Sequence, residues 1–233
     1  MEKIVYLAEK KAGQSSADFS AALRGSLAES WLAHGAQRLQ INVVDDDVAA
    51  GAGLRQCNSS AMFDAFIAVW IDSAFHHKKL AEQLAPLVHR YAGYVVSESE
   101  RIPNTTQRAA AGQRTPGFAQ VCTLQIPPRL TRDAWFDIWQ NSHGTLAIET
   151  QSTFRYVQNI VQRRLTWDAP VIDAIVEEGF PIGAMTDPQI FFDAPGDETK
   201  YKANLKRMMD SCARFIDTDK MDCILTSEYV IKP

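Results

Sequence analysis

The chain has 233 residues, 46% of them hydrophobic and 22% charged, which suits one large or two small globular domains with a sizeable apolar core. The formal charge is −4, and no cluster of Lys and Arg offers a phosphate track, so nucleic acid is not an expected partner. The most apolar run, Ala65 to Ile71, has strand length rather than the ~20 residues of a membrane span.

Met1 to Leu7 lacks a basic segment followed by an apolar one. A secretory signal is therefore not expected, and a cytoplasmic location is the default. Cys57, Cys122, Cys212 and Cys223 have no CxxC spacing, so free thiols are expected.

Residues 3–10 alternate as a strand. Ser15 or Ser16 caps a helix over 17–33, where Phe19, Ala22, Leu23, Leu27 and Trp31 recur at helical spacing. His34 and Gly35 end it. Residues 37–44 form a strand with Leu39, Ile41 and Val43 on one face and Arg38, Gln40 and Asn42 on the other. Residues 45–61 read as loop, 63–71 as an apolar strand, 76–87 as a helix and 93–101 as a strand. This is the split βαβ order of a ferredoxin-like unit. Residues 103–116 have no periodicity and read as a linker.

The order then repeats. Residues 118–126 form a strand. Thr131 caps a helix with Asp133 in its first turn, and Trp135, Ile138, Trp139, Ser142, His143 and Leu146 share one side of it. A strand follows over 153–161. Residues 162–179 read as an insertion with a short helix over 169–178. Residues 181–192 read as a strand interrupted by Pro188, 199–215 as a helix and 221–231 as the last strand.

Arg38 and Arg155, Asn42 and Asn159, Phe19 and Phe136, and Phe63 and Phe180 all stand 117 positions apart. A shared offset inside a shared element order indicates an internal duplication. The expected units are 1–103 and 117–233, joined by a linker at 104–116. The expected class is α+β.

Three motifs in the second unit, in this order, carry a resemblance: Leu130-Thr-Arg-Asp-Ala-Trp-Phe-Asp-Ile-Trp139 running into Ser142-His-Gly144, then Arg155-Tyr-Val-Gln-Asn159, then Ala213-Arg-Phe-Ile-Asp217. Together they resemble the EthD family of the dimeric α/β-barrel superfamily. The first unit keeps the layout with few motif residues: Ser26 stands at the place of His143 and Ala22 at that of Trp139. The resemblance implies two four-stranded sheets packed as a barrel. Here one chain would supply both, as a pseudo-dimer of tandem ferredoxin-like repeats, with a further homodimer left open. Physically, a four-stranded sheet with helices on one face must bury the other.

His143, one turn after Trp139, borders the apolar stripe, and an imidazole there can move a proton near neutral pH. The bland alternative is a core histidine bonded to a carbonyl; the resemblance, which places a histidine here against a pocket, favours function. Residues 153–161 put Phe154, Tyr156, Gln158 and Ile160 on one face, where the first unit has Gln37, Leu39, Ile41 and Val43. Buried Tyr and Gln need partners, so they point to a polar cavity in the second unit, unless they satisfy each other. Arg155 and Asn159 lie on the opposite face. Because they recur as Arg38 and Asn42, they read chiefly as architecture at the seam between sheets, with Glu98 or Glu228 as the partner of Arg155; a contribution to substrate binding is retained.

His76 and His77 lack ligands at metal spacing, Gly51 and Gly53 lack a dinucleotide frame, and Ser142 and His143 cannot pair as nucleophile and base. No metal and no organic cofactor are expected.

The functional expectation is a cofactor-free enzyme acting on a small apolar or aromatic carbonyl or polyketide-like compound by proton transfer: a cyclase, dehydratase, decarboxylase or isomerase, with cofactor-free monooxygenation as a variant. His143 and Tyr156 are the catalytic candidates. Trp139, Gln158, Phe154, Asn159 and Arg155 are the substrate-binding candidates. The competing expectation is a non-catalytic binding or accessory protein of a degradation pathway.

Overall fold

A computed structural model describes residues 1–58 and 63–233. The strands are β1 (Glu2–Glu9), β2 (Arg38–Val43), β3 (Gln56–Cys57), β4 (Ala65–Ile71), β5 (Arg90–Ile102), β6 (Phe118–Leu124), β7 (Arg155–Arg164), β8 (Ala174–Phe180) and β9 (Asp222–Lys232). They hydrogen-bond in the order β2-β4-β1-β5-β7-β8-β6-β9-β3, and β2 also pairs with β9. That last pairing closes an antiparallel barrel and removes the open edges, with β3 as a short appendage on β9. Within each half of the chain the strands run second-third-first-fourth across the sheet. The sheets meet where β5 pairs with β7 and where β2 pairs with β9.

The fold is therefore α+β, with helices outside a barrel. The strand pattern accounts for three layers. Ile4, Tyr6, Leu39, Ile41 and Val43 face outward under Phe19, Leu23, Trp31, Leu80 and Leu84 of the first half's helices. Val5, Leu7, Phe66, Trp70, Tyr94, Val121, Ile175 and Ile224 form one cluster inside the barrel. Leu124, Tyr156, Ala174 and Val176 face outward again, under Trp135, Trp139 and Phe215.

The first half carries α1 (Ser16–Ala22), α2 (Ala28–Ala33) and α3 (His77–Leu84), and the second half α4 (Arg132–Phe136), α5 (Gly144–Thr150), α6 (Pro188–Phe191) and α7 (Glu198–Phe215). Ser15 and Thr131 cap α1 and α4 as expected, accepting from the backbone N–H of Asp18 and Ala134. The spacing predicts one unbroken helix in each half. Instead a π-helical stretch joins the two α segments in both places, at Leu23–Leu27 and at Asp137–His143. Such widened turns displace side chains locally and recur near functional sites.

Two sequence expectations fail in the second half. Residues 169–178 do not form a helix: Ala174–Phe180 is β8, the strand that pairs with both β6 and β7. The strand expected over 181–192 is absent, replaced by a 3-10 turn at Ile182–Met185 and by α6, whose Asp187 caps the backbone N–H of Gln189 and Ile190. Pro188 occupies the first turn of that helix, where a missing N–H does no harm. The Phe63–Phe180 match consequently has no structural meaning, since Phe63 precedes β4 whereas Phe180 ends β8. The loop expected over 45–61 contains a 3-10 segment at Asp46–Leu54 and then β3; its residues 59–61 fall outside the described residues.

The linker 104–116 is tied down rather than loose. Gly112 and Thr115 donate backbone N–H bonds to the carbonyls of Val230 and Glu228. Gly117 follows it, with a φ of +91° and a position where an added Cβ would lie 2.1 Å from the Phe180 carbonyl oxygen. Gly117→Ala is thus expected to lower folding stability by at least about 2 kcal/mol, read from urea unfolding. A change under about 0.5 kcal/mol would mean that the turn relaxes freely.

Candidate active site

A cavity of about 230 Å³ lies between the helices of the second half and the outer face of its sheet. Strands β6 to β9 form its floor, and the π segment and α7 its roof. Asp197 caps α7 by accepting from Lys200 N–H. Met208, Ser211 and Phe215 then recur on its inner side at helical spacing, so the helix lies flat over the sheet.

His143 and Trp139 come down from the π segment and both line the cavity. His143 is buried, its Nδ1 is 3.0 Å from the Ser211 hydroxyl, and its ring packs against Phe215 with centroids 4.6 Å apart. Burial, helped by the Arg214 guanidinium, lowers its pKa to about 4. At neutral pH the imidazole is therefore neutral, with one nitrogen fixed by Ser211. Gly144 follows immediately. A Cβ there would lie 3.3 Å from Gln158 Nε2, a tight approach that shows how closely the helix sits on β7.

Tyr156 faces the cavity from β7. Gln158 donates its amide to the Tyr156 oxygen at 3.0 Å, and Trp139 lines the cavity beside it. Burial raises the phenol's pKa above its ordinary value, and the negative charge of Glu178 adds to this. Tyr156 is thus a neutral O–H whose oxygen accepts from Gln158, leaving its proton to be given to another group. Gln158 is wholly buried beneath it and does not line the cavity; its own Oε1 has no partner. The two polar side chains do satisfy each other in part, as the bland reading had it.

Glu178 was not foreseen. It stands on β8 directly opposite Tyr156 on one side and Gln120 on the other, and all three line the cavity. Its carboxyl forms no hydrogen bond or ion pair among the described residues. Desolvation raises its pKa to about 7. The side chain is only half-buried, so cavity water has access to it. The strand period explains the contrast with its neighbour. Consecutive residues point to opposite faces, so Glu178 enters the cavity and Glu177 enters the barrel.

Glu177 is fully buried and satisfied. It accepts from Lys3 Nζ at 3.0 Å, Arg155 Nη1 at 3.1 Å, Asn159 Nδ2 at 2.8 Å and Gln40 Nε2 at 2.7 Å. Burial alone would raise its pKa, but Lys3 and Arg155 outweigh that and hold it down at about 2. Arg155 also reaches Glu228 at 3.1 Å and donates to Gln40 Oε1 at 3.0 Å, so it ties β7 to β2, β8 and β9 across the barrel.

Of the candidates read from the sequence, His143, Tyr156 and Trp139 meet in one cavity, with Gln158 supporting them. Arg155 and Asn159 lie on the other side of the sheet, inside the barrel, because residues of odd and even number on β7 face opposite ways. Phe154 is also outside the cavity. Its ring lies over Gly117 and Gly179 at the end of the sheet. Of the two partners expected for Arg155, Glu228 is in contact with it, whereas Glu98 pairs with Lys3. Arg38, the counterpart of Arg155 by offset, instead stacks on the Trp70 ring at 4.5 Å, and Gln40 enters the barrel in its place. Among the described residues no group of three or more His, Cys, Asp or Glu is arranged to hold a metal, and no helix is long and apolar enough to cross a membrane.

The chain is thus an α+β protein built on an antiparallel barrel, with a cavity under the helices of its second half. Residues 127–219 match the family model of the EthD domain, the stretch in which all three motifs lie. Among solved structures, an anthrone oxidase-like protein aligns at a TM-score of 0.51 with 9% identity, covering 98% of this chain and 90% of its own. A dye-decolorizing peroxidase from Bacteroides thetaiotaomicron aligns at 0.49 with 8% identity over 98% of this chain and 93% of its own. At such identities the likeness is one of fold. No curated protein sequence matches the chain.

Proposed function

We propose that the cavity is the active site of a small-molecule enzyme that transfers a proton to or from an apolar or aromatic carbonyl compound. Glu178 is the general acid or base. The observation that carries this is its carboxyl: unpartnered, facing the cavity, and poised near neutral pH beside a neutral Tyr156 and a neutral His143. A group with a pKa close to the working pH is the most effective proton carrier, and oppositely tuned neighbours are the usual mark of an acid–base site. Tyr156 would donate its hydroxyl to the substrate oxygen as negative charge develops there. His143, held by Ser211, is a second proton partner. Trp139, Phe215 and the methionines supply the apolar walls.

The volume fits a ring system of roughly a dozen heavy atoms, small by the standards of ligand pockets. Net loss of water, ring closure and isomerisation all begin with such a proton transfer, so the lyase, cyclase and isomerase readings share this first step. The anthrone oxidase-like fold relative agrees with an aromatic ketone as substrate class.

The two halves are, in this reading, ferredoxin-like units of common origin, 1–103 and 117–233. The common strand order and the π stretch in each first helix support it. The first unit then serves as the internal partner: Tyr6, Trp31, Leu39 and Ile41 fill the region that corresponds to the cavity.

The test is exchange of an acidic C–H for deuterium. Incubation with 1-indanone, 1-tetralone and 2-hydroxyacetophenone in deuterated water is expected to give enzyme-dependent α-deuteration, followed by NMR. His143→Ala is expected to slow it by a factor of about 10² or more while the protein stays folded. Exchange at the uncatalysed rate with every ketone that binds would contradict the proposal.

A further inference from the structure

Three of the four cysteines line the same cavity, and two of them face each other. Cys122 on β6 and Cys223 on β9 are Cα partners across an antiparallel ladder. Side chains at directly opposed positions have Cβ atoms about 4.5–5.5 Å apart, which begins at the upper end of the ~3.5–4.5 Å range of a disulfide, so a small approach of the two strands joins them. The Gln120 amide donates to Cys223 Sγ at 2.7 Å, on the same side of the sheet. Cys223 is buried, whereas Cys122 is half-buried and reachable from the cavity. The acid–base chemistry above uses neither.

We infer that Cys122 and Cys223 form a reversible dithiol–disulfide site in the wall of the cavity, closed by hydroperoxides that enter it. The peroxide oxygen goes to the accessible sulfur: the Cys122 thiol and the hydroperoxide give a sulfenic acid and an alcohol, or water from hydrogen peroxide. The Cys223 thiol then attacks that sulfur, the S–S bond forms, and the hydroxyl leaves as water with the thiol proton. Two thiols are oxidised by two electrons and one peroxide is reduced. The link removes both thiol hydrogens from the wall. It also frees the Gln120 amide to turn to Glu178, its partner across β6 and β8. Burial and its neighbours hold the Cys122 thiol protonated, which protects the pair from dilute oxidant and makes closure slow. Cys212, across the cavity on α7, is not opposed to a second thiol by strand pairing, and Cys57 is exposed on β3.

The experiment uses the full chain with Cys57→Ser and Cys212→Ser, so that only the pair remains. Sustained hydrogen peroxide is expected to lower the thiols titrated after denaturation from two to none. Peptide mapping should find the Cys122–Cys223 link, and dithiothreitol should restore both thiols. Phenylarsine oxide, which bridges neighbouring thiols, should protect both. In the wild-type chain the same link should appear. Unchanged thiols, separate sulfinic acids, or links between molecules would overturn the inference. None of these readouts depends on the enzymatic activity.

Discussion

Glu177→Gln is expected to lower folding stability by about 3–5 kcal/mol, because it removes the shared counter-charge of Lys3 and Arg155 inside the barrel. Both cations are buried there and cannot turn to water. Glu98 and Glu228 remain as secondary partners, and they keep the loss from being larger. The pH dependence has a definite sign. The Glu177 pKa is depressed from 4.5 to about 2, so its contribution is complete above pH 4.5 and is lost as pH falls through 2. The variant should lack that acid-sensitive portion. Glu98 is partly exposed, so Glu98→Gln should change stability by only about 1 kcal/mol. Urea unfolding at pH 7 and pH 3 reads both. A Glu177→Gln change below about 1 kcal/mol would mean that water reaches the cluster.

Glu178→Gln is expected to have opposite effects on stability and on activity. The folded-state pKa is raised from 4.5 to about 7, so ionising this group destabilises the fold progressively as pH rises through that window. The full shift corresponds to at most about 3 kcal/mol, and cavity water reduces it because the side chain is half-buried. The variant should therefore be more stable than the parent at pH 8 and nearly equal to it at pH 4. Deuterium exchange should meanwhile fall by a factor of about 10²–10⁴, the usual contribution of a general acid or base. His143 works in the other direction. Its pKa falls from 6.5 to about 4, so stability is lost as pH drops below 6.5, and in the window from 4.5 to 6.5 the two groups offset each other. A stabilised but inactive Glu178→Gln would mark a site that gives up stability for function; loss of both would mark a structural role.

Much of this was legible in the residues, and the exceptions have physical reasons. Strong periodicity located β1, β2, β4 and α7 to within a residue or two, and the Ser15 and Thr131 caps were correct. The Tyr156–Gln158 contrast with Leu39–Ile41 pointed to the cavity, because a polar pair on an otherwise aliphatic face requires an explanation. Glu178 escaped because Ala174-Ile-Val-Glu-Glu-Gly-Phe180 contains two adjacent acids, and adjacent acids suggest an exposed helix. The alternation of a strand instead sends one acid to each face of a sheet. What made Glu177 tolerable in a barrel were partners distant in sequence, Lys3 and Gln40, which no local pattern displays. Ile175 and Val176, both β-branched, were the available signal for a strand. Arg155 and Asn159 lie on the face opposite Tyr156, as the strand period requires, and only the retained contribution to substrate binding is corrected, since both are committed to Glu177 inside the barrel. The π stretches have no evident signature in composition.

The central claim, that Glu178 is the proton carrier of a solvent-reachable cavity, is tested most directly by titrating its carboxyl. Protein labelled with 13C at the glutamate side-chain carboxyl should show one resonance with a midpoint near pH 7, absent from Glu178→Gln and displaced by a bound aromatic ketone. A Glu178 midpoint at the ordinary carboxylate value of about 4.3, unmoved by ligand, would contradict it.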